Sequence, residues 1–447
     1  MRMVSFAVQA KTLVAGLALI YGSCVQAERP DDSFKSRVNV VLSEHHLAKM
    51  VDADLEAAEA QVSVERSAYF PKIDVNASTG YQDIDRDVGA SDVYDPKEVS
   101  VSVNQLIYDF GATSAKVDVA RQVTDKESLE NALQRKNLIF AAVEAHLELV
   151  KAHRLKEFAE KSEENVRVLT QQENARVDAG KGYATDVLQA KAQLASAEAR
   201  RVVANSDLNI AENRYKAVYG YLQPAGVKLE TLNIPSDLLP TSLAEVEQLV
   251  TEASPDVLAA LARHQVARAS LQATSKSEYM PRVDLALSHA RYEDRDGTEG
   301  SREDSLATLN FRWSFDSGLK ASHLVTAANA QALSESEKAN YVLVQSLEEA
   351  RNAWNSWGMS QDRTRYLLNQ VEISKLFLKL ALKERGYGRR SLLDILNAAT
   401  ALINAESAAA EAELDETLSA FRLLRASGRL DLELFDNPSV VITKNAS

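Results

Sequence analysis

Between residues 73 and 82 the chain alternates. Ile73, Val75, Ala77, Thr79 and Tyr81 fall on one side, and Asp74, Asn76, Ser78, Gly80 and Gln82 on the other. A period of two over about ten residues predicts a strand with one apolar face, here spanning 72–83. After a polar, turn-rich stretch (84–97), Val99, Val101, Val103 and Ile107 predict a second strand over 98–109. Two more strands are predicted far downstream, at 282–293 and 305–315, the latter with Leu309, Phe311, Trp313 and Phe315 on one face. Residues 283–291 alternate less cleanly, because His289 and Arg291 occupy apolar positions. Elsewhere the period is helical. Residues 34–70 predict a helix stopped by Pro71, and residues 112–179 contain neither proline nor glycine. Such a run predicts a helix on the order of 100 Å long at ~1.5 Å per residue. The returning segment places Val187, Ala190, Leu194, Ala197, Ala204, Leu208, Ala211 and Tyr215 at steps of three and four, broken only by Arg201. A sustained stripe of this kind specifies coiled-coil packing.

The pattern is written twice. Tyr69-Phe70-Pro71-Lys72-Ile73-Asp74 recurs as Tyr279-Met280-Pro281-Arg282-Val283-Asp284, and Tyr108-Asp109-Phe110-Gly111 as Phe315-Asp316-Ser317-Gly318. Gly180 through Asp186-Val187-Leu188 recurs as Gly388 through Asp394-Ile395-Leu396. The three offsets are 210, 207 and 208 residues, too long for a solenoid unit and therefore one duplication. Each copy reads helix, two strands, long helix, tight tip, returning helix. The predicted plan is a first repeat over 28–220 with its tip at 180–186, a linker over 221–241, a second repeat over 242–428 with its tip at 386–394, and a C-terminal tail over 429–447. Gly180, Gly182, Gly386 and Gly388 permit the two reversals. Four strands are too few to close a membrane barrel, which needs about eight. Pairing with further copies would close the sheet and remove its open edges. The competing reading is a small soluble sheet packed on the coiled coil, which would make the chain a soluble periplasmic scaffold or adaptor.

Composition narrows the choice. The 447 residues carry a net charge of −13, which disfavours a nucleic-acid partner. Only 16 glycines and 9 prolines are present, so the elements are few and long. A single cysteine excludes a disulfide framework. Residues 1–27 carry Arg2 and Lys11, then an apolar run and a small-residue end at Val25-Gln26-Ala27, the order of a secretory signal cleaved after Ala27. Its removal takes two basic and no acidic groups, leaving −15. Lipidation at Cys24 is the rival reading, disfavoured because Tyr21 stands where such signals usually have leucine. No other stretch approaches the ~18 apolar residues of a membrane-spanning helix. Asp109-Phe110-Gly111 spells a kinase metal motif, but its repeat as Asp316-Ser317-Gly318 marks a structural turn. No nucleophile–base constellation, metal cluster or cofactor motif emerges, so an enzyme is not expected.

The duplicated plan and the two tip segments, Gly180-Lys-Gly-Tyr-Ala-Thr-Asp186-Val-Leu-Gln-Ala190 and Gly388-Arg-Arg-Ser-Leu-Leu-Asp394-Ile-Leu-Asn-Ala398, resemble the TolC family of outer-membrane channel proteins. The resemblance spans residues 34 to about 428. It implies a mainly α chain with transmembrane β structure. Four strands per chain would enter a homotrimeric 12-stranded β-barrel in outer-membrane lipid, continued by a long α-helical coiled-coil barrel through the periplasm. It further implies a periplasmic adaptor (membrane fusion) protein and an inner-membrane ABC or proton-driven transporter as partners, an exported protein or small molecule as cargo, and no cofactor. Type I protein secretion is expected ahead of multidrug efflux, because the non-lipidated terminus is commoner in the secretion branch. By position, Asp394 takes the role of the acidic pore constriction, and Asn397 replaces a second acidic residue on the same helix face, weakening the electronegative gate. Arg390 takes the role of a gate latch toward Thr185 and Asp186, so Arg390→Ala or Asp186→Ala is expected to raise conductance. Asp394 also fits a capping box with Ser391, and Arg390 an intrahelical pair with Asp394. Arg385 stands where some relatives have a latch tyrosine, with Tyr387 two residues later.

Overall fold

A computed structural model describes residues 33–85, 92–180, 183–222, 229–295, 298–436 and 440–442. The expected signal over 1–27, Cys24 and Gly182 lie outside these residues. The chain forms α1 (Phe34–Glu44), α2 (His46–Ser67), β1 (Lys72–Thr79), β2 (Gln82–Ile84), β3 (Asp92–Tyr94), β4 (Lys97–Tyr108), α3 (Ala112–Asp178) and α4 (Ala184–Tyr219). There follow β5 (Thr231–Leu232), α5 (Leu243–Ala253), α6 (Pro255–Tyr279), β6 (Arg282–Glu293), β7 (Ser301–Arg312), α7 (Lys320–Gly386), α8 (Leu392–Ala426) and β8 (Val441–Ile442).

Two helices of 67 residues, α3 and α7, are the struts of the molecule. At ~1.5 Å per residue each is on the order of 100 Å long. Each strut begins at a sharp turn out of the sheet. Asp109 accepts hydrogen bonds from the N–H groups of Gly111 (3.1 Å) and Thr113 (2.6 Å), satisfying donors at the start of α3. Asp316 accepts from the N–H of Gly318 (2.8 Å) just before α7. The Asp-x-Gly repeat is thus a strand-to-helix corner. The returning helices α4 and α8, of 36 and 35 residues, cover the tip-proximal part of each strut. The shorter α2 and α6 run beside the struts nearer the sheet, α2 on α3 and α6 between α3 and α7. Alanine at the seam lets these helices approach closely: Ala190, Ala197 and Ala204 on α4 and Ala398, Ala405, Ala409 and Ala412 on α8 are all buried. Arg201, the one interruption of the α4 stripe, forms an ion pair with Glu163 of α3, whose side chain is 7% exposed and also meets Arg167.

Midway along the struts lies the main core. Phe34 and Val38 of α1 meet Tyr215 of α4, Phe421 and Leu424 of α8, and Leu232, Leu430 and Phe435 from the connecting segments. Glu230 organises this belt. Its carboxylate accepts the N–H of Phe34 (2.8 Å) and pairs with Arg37 (3.3 Å), while its carbonyl lies 2.8 Å from Nε2 of the fully buried His146. Burial pushes the His146 imidazole down to about 4, reinforced by the nearby Arg37 charge and opposed by the Glu230 carbonyl.

The structure differs from the sequence expectation in four places. The helix expected over 34–70 is two helices broken at His45, whose backbone is extended and whose Nδ1 accepts the N–H of Leu47 (3.1 Å) to start α2. The break turns α1 into the equatorial core and leaves α2 along α3. The strand expected over 72–83 divides at Gly80, whose N–H donates to the Pro96 carbonyl (2.9 Å), and resumes as β2 paired with β3. The strand expected over 305–315 is shifted to 301–312, because polar Ser301–Asp304 pair through their backbones with Ala290–Glu293 while Trp313–Phe315 leave the ladder. The expected linker and tail are parts of the core: β5 pairs with β8, and Leu232, Leu434 and Phe435 are buried.

Candidate functional site

The sheet has the order β1-β4-β6-β7, every neighbour antiparallel. Strands β1 and β7 are its edges, and among the described residues neither has a second partner. Register assigns each side chain to a face. One row across the four strands is Ile73, Val103, Leu287 and Ala307. The next row, on the opposite face, is Asp74, Ser102, Ser288 and Leu306. The first face is apolar and uncovered, with Ile73, Val75, Leu309 and Phe311 each more than 60% exposed. Water would make this arrangement costly, whereas the hydrocarbon of a bilayer matches it.

His289 and Arg291 do lie on the apolar face, each with a partner across the ladder. His289 Nδ1 is 2.8 Å from Ser305 Oγ, Arg291 pairs with Glu303 (3.5 Å), and Lys97 pairs with Glu293 (3.6 Å) one row farther out. These polar rows bound the apolar band at the end distant from the helices. Aromatic side chains bound the other end. Tyr69 and Phe70 enter β1, Tyr108 and Phe110 leave β4 with ring centroids 4.6 Å apart, and Trp313 and Phe315 leave β7 at 4.7 Å. The Trp313 indole N–H donates to the Tyr279 carbonyl (3.2 Å) at the entry to β6. Exposed aromatics at sheet ends are the girdle of a bilayer interface. Sequence reading passed over this girdle, although aromatics recur at equivalent junctions of the two repeats. Among the described residues no helix is long and apolar enough to cross a membrane.

At the far ends of the struts are the two tips. Gly180 and Gly388 both adopt φ of +71°, the left-handed geometry that reverses the chain after a helix. Gly386 closes the last turn of α7. Thr185 is exposed and Asp186 half-buried in the first turn of α4. Asp394 occupies a capping box: its N–H donates to Ser391 Oγ (3.1 Å) and its carboxylate accepts the Ser391 N–H (3.3 Å). Asp394 and Asn397 are both exposed on one face of α8. Arg390 donates from Nε to Glu384 (2.6 Å) and its guanidinium lies 5.3 Å from the Phe377 ring centre, so it is held within its own hairpin. Among the described residues no ion pair joins Arg390 to Asp186 in one chain. The hairpins are instead joined by Arg385 of α7, which donates from Nη2 to Glu173 of α3 at 2.9 Å. No local pattern marks that pair, since its members are 212 residues apart.

Comparison with known proteins agrees with this geometry. Residues 38–220 and 246–429 match the family described as Outer membrane efflux protein, the two matches beginning at the spacing of the internal repeat. The chain is 26% identical over 394 residues to the outer membrane efflux protein BepC of Brucella suis biovar 1, covering 85% of this chain and 81% of that protein. It is 24% identical over 423 residues to the alkaline protease secretion protein AprF of Pseudomonas aeruginosa, covering 88% and 85%. Among solved structures, the CmeC outer membrane channel of Campylobacter jejuni superposes with a TM-score of 0.77 at 15% identity, covering 89% of this chain and 86% of that one.

Proposed function

The chain belongs to the outer membrane efflux protein family, a family of outer-membrane ducts and not of enzymes, and from that premise we propose that it is the export channel of a tripartite system, acting in type I protein secretion. The observation that carries this reading is the sheet. Its uncovered apolar face demands lipid, its two open edges demand further copies, and its strands run directly into struts on the order of 100 Å long. Three copies would supply twelve strands and close the barrel. The polar face, with Asp74, Ser102 and Ser288, would then line a water-filled lumen. The duct performs no chemistry; an inner-membrane transporter and a periplasmic adaptor protein would supply energy and cargo.

Three-fold symmetry would bring three copies of Asp394 around one axis and concentrate negative potential there. Asn397, on the same face, adds hydrogen-bonding capacity without charge. Arg390, held by Glu384 in its own chain, would meet Thr185 and Asp186 only across a boundary between copies. Relatives named for protease secretion and for efflux match the chain at similar identity, which keeps multidrug efflux as the second reading. Deletion of the gene separates the two. Loss of one or a few proteins from the culture medium supports secretion, whereas increased sensitivity to drugs and detergents with an unchanged secreted set supports efflux. A soluble monomer recovered without detergent would overturn both in favour of a periplasmic scaffold.

A further inference from the structure

At the end of the sheet distant from the helices, the apolar face gives way to charge. Beyond the row of His289 and Ser305 come Arg291 and Glu303, and beyond these Lys97 and Glu293. Each row is ~7 Å farther along the strands, or ~5 Å in height at a tilt of ~40°. Arg291 and Lys97 therefore stand outside the apolar band, at the level of lipid headgroups. Just inside that boundary the face is not flat. Ser305 and Ala307 are small, and Val101, Val103, Leu287 and His289 enclose with them a depression of about 380 Å³. His289 sits in its outer row, with Nδ1 2.8 Å from Ser305 Oγ, which leaves Nε2 for a lipid oxygen.

We propose that the depression and the basic groups beyond it bind one phosphorylated, acylated glycolipid of the outer leaflet, with an acyl chain in the depression and a phosphate on Arg291 and Lys97. The two basic residues are diagonal neighbours on β4 and β6, ~7–8 Å apart across the sheet, so both long side chains can reach one phosphate. Their carboxylate partners stand off, Glu303 at 3.5 Å from Arg291 and Glu293 at 3.6 Å from Lys97, and all four side chains are exposed. Exposed pairs of this length contribute little, so a phosphate oxygen can replace either carboxylate. Glu303 engages only Nη1 of Arg291, and a guanidinium has further donors in a fork that fits phosphate. A lipid held by its chains alone would need no cations here, and a soluble phosphate compound would have no use for the depression. Together they select an amphiphile with phosphate at its head and its chain running toward the middle of the bilayer. A phosphate monoester carries nearly two negative charges at neutral pH, which two adjacent cations match better than they match the single charge of a phosphodiester.

The inference rests on the duct reading, which puts this end of the sheet in the outer leaflet, and the experiment separates the two. Full-length wild type, Arg291→Gln, Lys97→Gln, Ala307→Phe and Arg302→Gln are purified in detergent. Arg302 lies between the same rows on the opposite face. Each oligomer is titrated with bisphosphorylated lipid A, dephosphorylated lipid A or phosphatidylglycerol, and bound lipid is counted by native mass spectrometry. Arg291→Gln and Lys97→Gln are each expected to weaken binding of bisphosphorylated lipid A about fivefold, and dephosphorylation to weaken wild-type binding about 25-fold. Phosphatidylglycerol is expected to bind wild type more weakly than bisphosphorylated lipid A. Ala307→Phe fills the depression and is expected to weaken both forms of lipid A alike, and Arg302→Gln to match wild type. Equal binding of the two forms of lipid A, unchanged binding in both Arg291→Gln and Lys97→Gln, or an equal loss in Arg302→Gln overturns the site, while an oligomer that still conducts leaves the duct standing. Phosphatidylglycerol that binds as tightly as lipid A overturns the glycolipid as occupant, and Ala307→Phe that binds like wild type overturns the depression as the seat of the chain. Protein that stays soluble without detergent and takes up no lipid overturns the duct and the site with it.

Discussion

Val103 and Ser102 are neighbours on an interior strand and point to opposite faces of the sheet, so arginine at each position asks which face meets lipid. Val103 sits between Ile73 on β1 and Leu287 on β6, with Ala307 beyond. On the same face the next row outward is Val75, Val101, His289 and Ser305, the first of the polar rows that bound the apolar band. At ~3.4 Å per residue Val103 is about 7 Å along the strand from that row, or about 5 Å in height once the strands tilt by ~40°. Val103 is thus inside the apolar band, nearer its outer boundary than its middle. An arginine on a lipid face costs ~2–4 kcal/mol at the bilayer midplane and ~0–1 kcal/mol near the interfaces, so at this depth a loss of roughly 1–2 kcal/mol per site, or roughly 3–6 kcal/mol per trimer, is expected. Ser102 lies in the row of Asp74 and Ser288, where arginine finds water and a carboxylate, and Ser102→Arg is expected to change stability by less than about 0.5 kcal/mol. The assay is refolding into lipid vesicles followed by urea titration, with the folded fraction read from the mobility of unheated samples on gels. Val103→Arg should abolish or sharply lower the folded fraction while Ser102→Arg matches wild type. Equal losses, or greater damage from Ser102→Arg, would refute the assignment of faces.

Other positions give independent tests. With His146 held at about 4 against an ordinary 6.5, the neutral imidazole favours the folded equatorial belt by ~3 kcal/mol at neutral pH. Because the folded value is depressed, that stabilisation is complete above pH 6.5 and is lost as pH falls from 6.5 toward 4; thermal melts of wild type and His146→Gln over this range should show the loss in wild type only. Gly428 has φ of +73°, and a Cβ there would lie 2.6 Å from the Ala253 carbonyl oxygen. Gly428→Ala is expected to cost ~2 kcal/mol or more, whereas Gly220→Ala, at φ of +80° with open space around it, should cost only about 1 kcal/mol in the same denaturation experiment. At the second tip, Asp394→Asn keeps an acceptor for the Ser391 N–H while removing the charge, so reversal potentials should show reduced cation preference with unchanged melting temperature; Asp394→Ala should lose both.

The regular parts of this fold were legible because each imposes its period on a long stretch. Alternation from Ile73 to Val103 assigned both faces of β1 and β4, and the steps from Val187 to Tyr215 marked the buried stripe of α4. Ser391-Leu-Leu-Asp394 announced its own cap, since both partners lie within one helical turn. What escaped depends on partners distant in sequence. Leu430, Phe435 and Val440 are too sparse to form a period, and they are buried only because Phe34, Phe421 and the belt around them lie elsewhere in the chain. His45 ends a helix without proline or glycine, because α1 has a core to enter and α2 has α3 to follow. Ser301 to Asp304 are polar and fall outside the expected strand, yet their backbones join the ladder with β6 and Glu303 meets Arg291 across it. At the tips, position pointed to Arg390, while the contact between hairpins in one chain falls to Arg385. Arg201 reads as a flaw in an apolar stripe until Glu163 is seen beside it.

The central claim, that this chain builds a passive duct through the outer membrane, is tested most directly by adding the purified, detergent-solubilised protein to a planar bilayer and recording current. The account predicts discrete, long-lived conductance steps with a preference for cations, arising from heat-modifiable oligomers and needing no nucleotide or other energy source. Protein that stays soluble without detergent and leaves the bilayer silent at every voltage would contradict it.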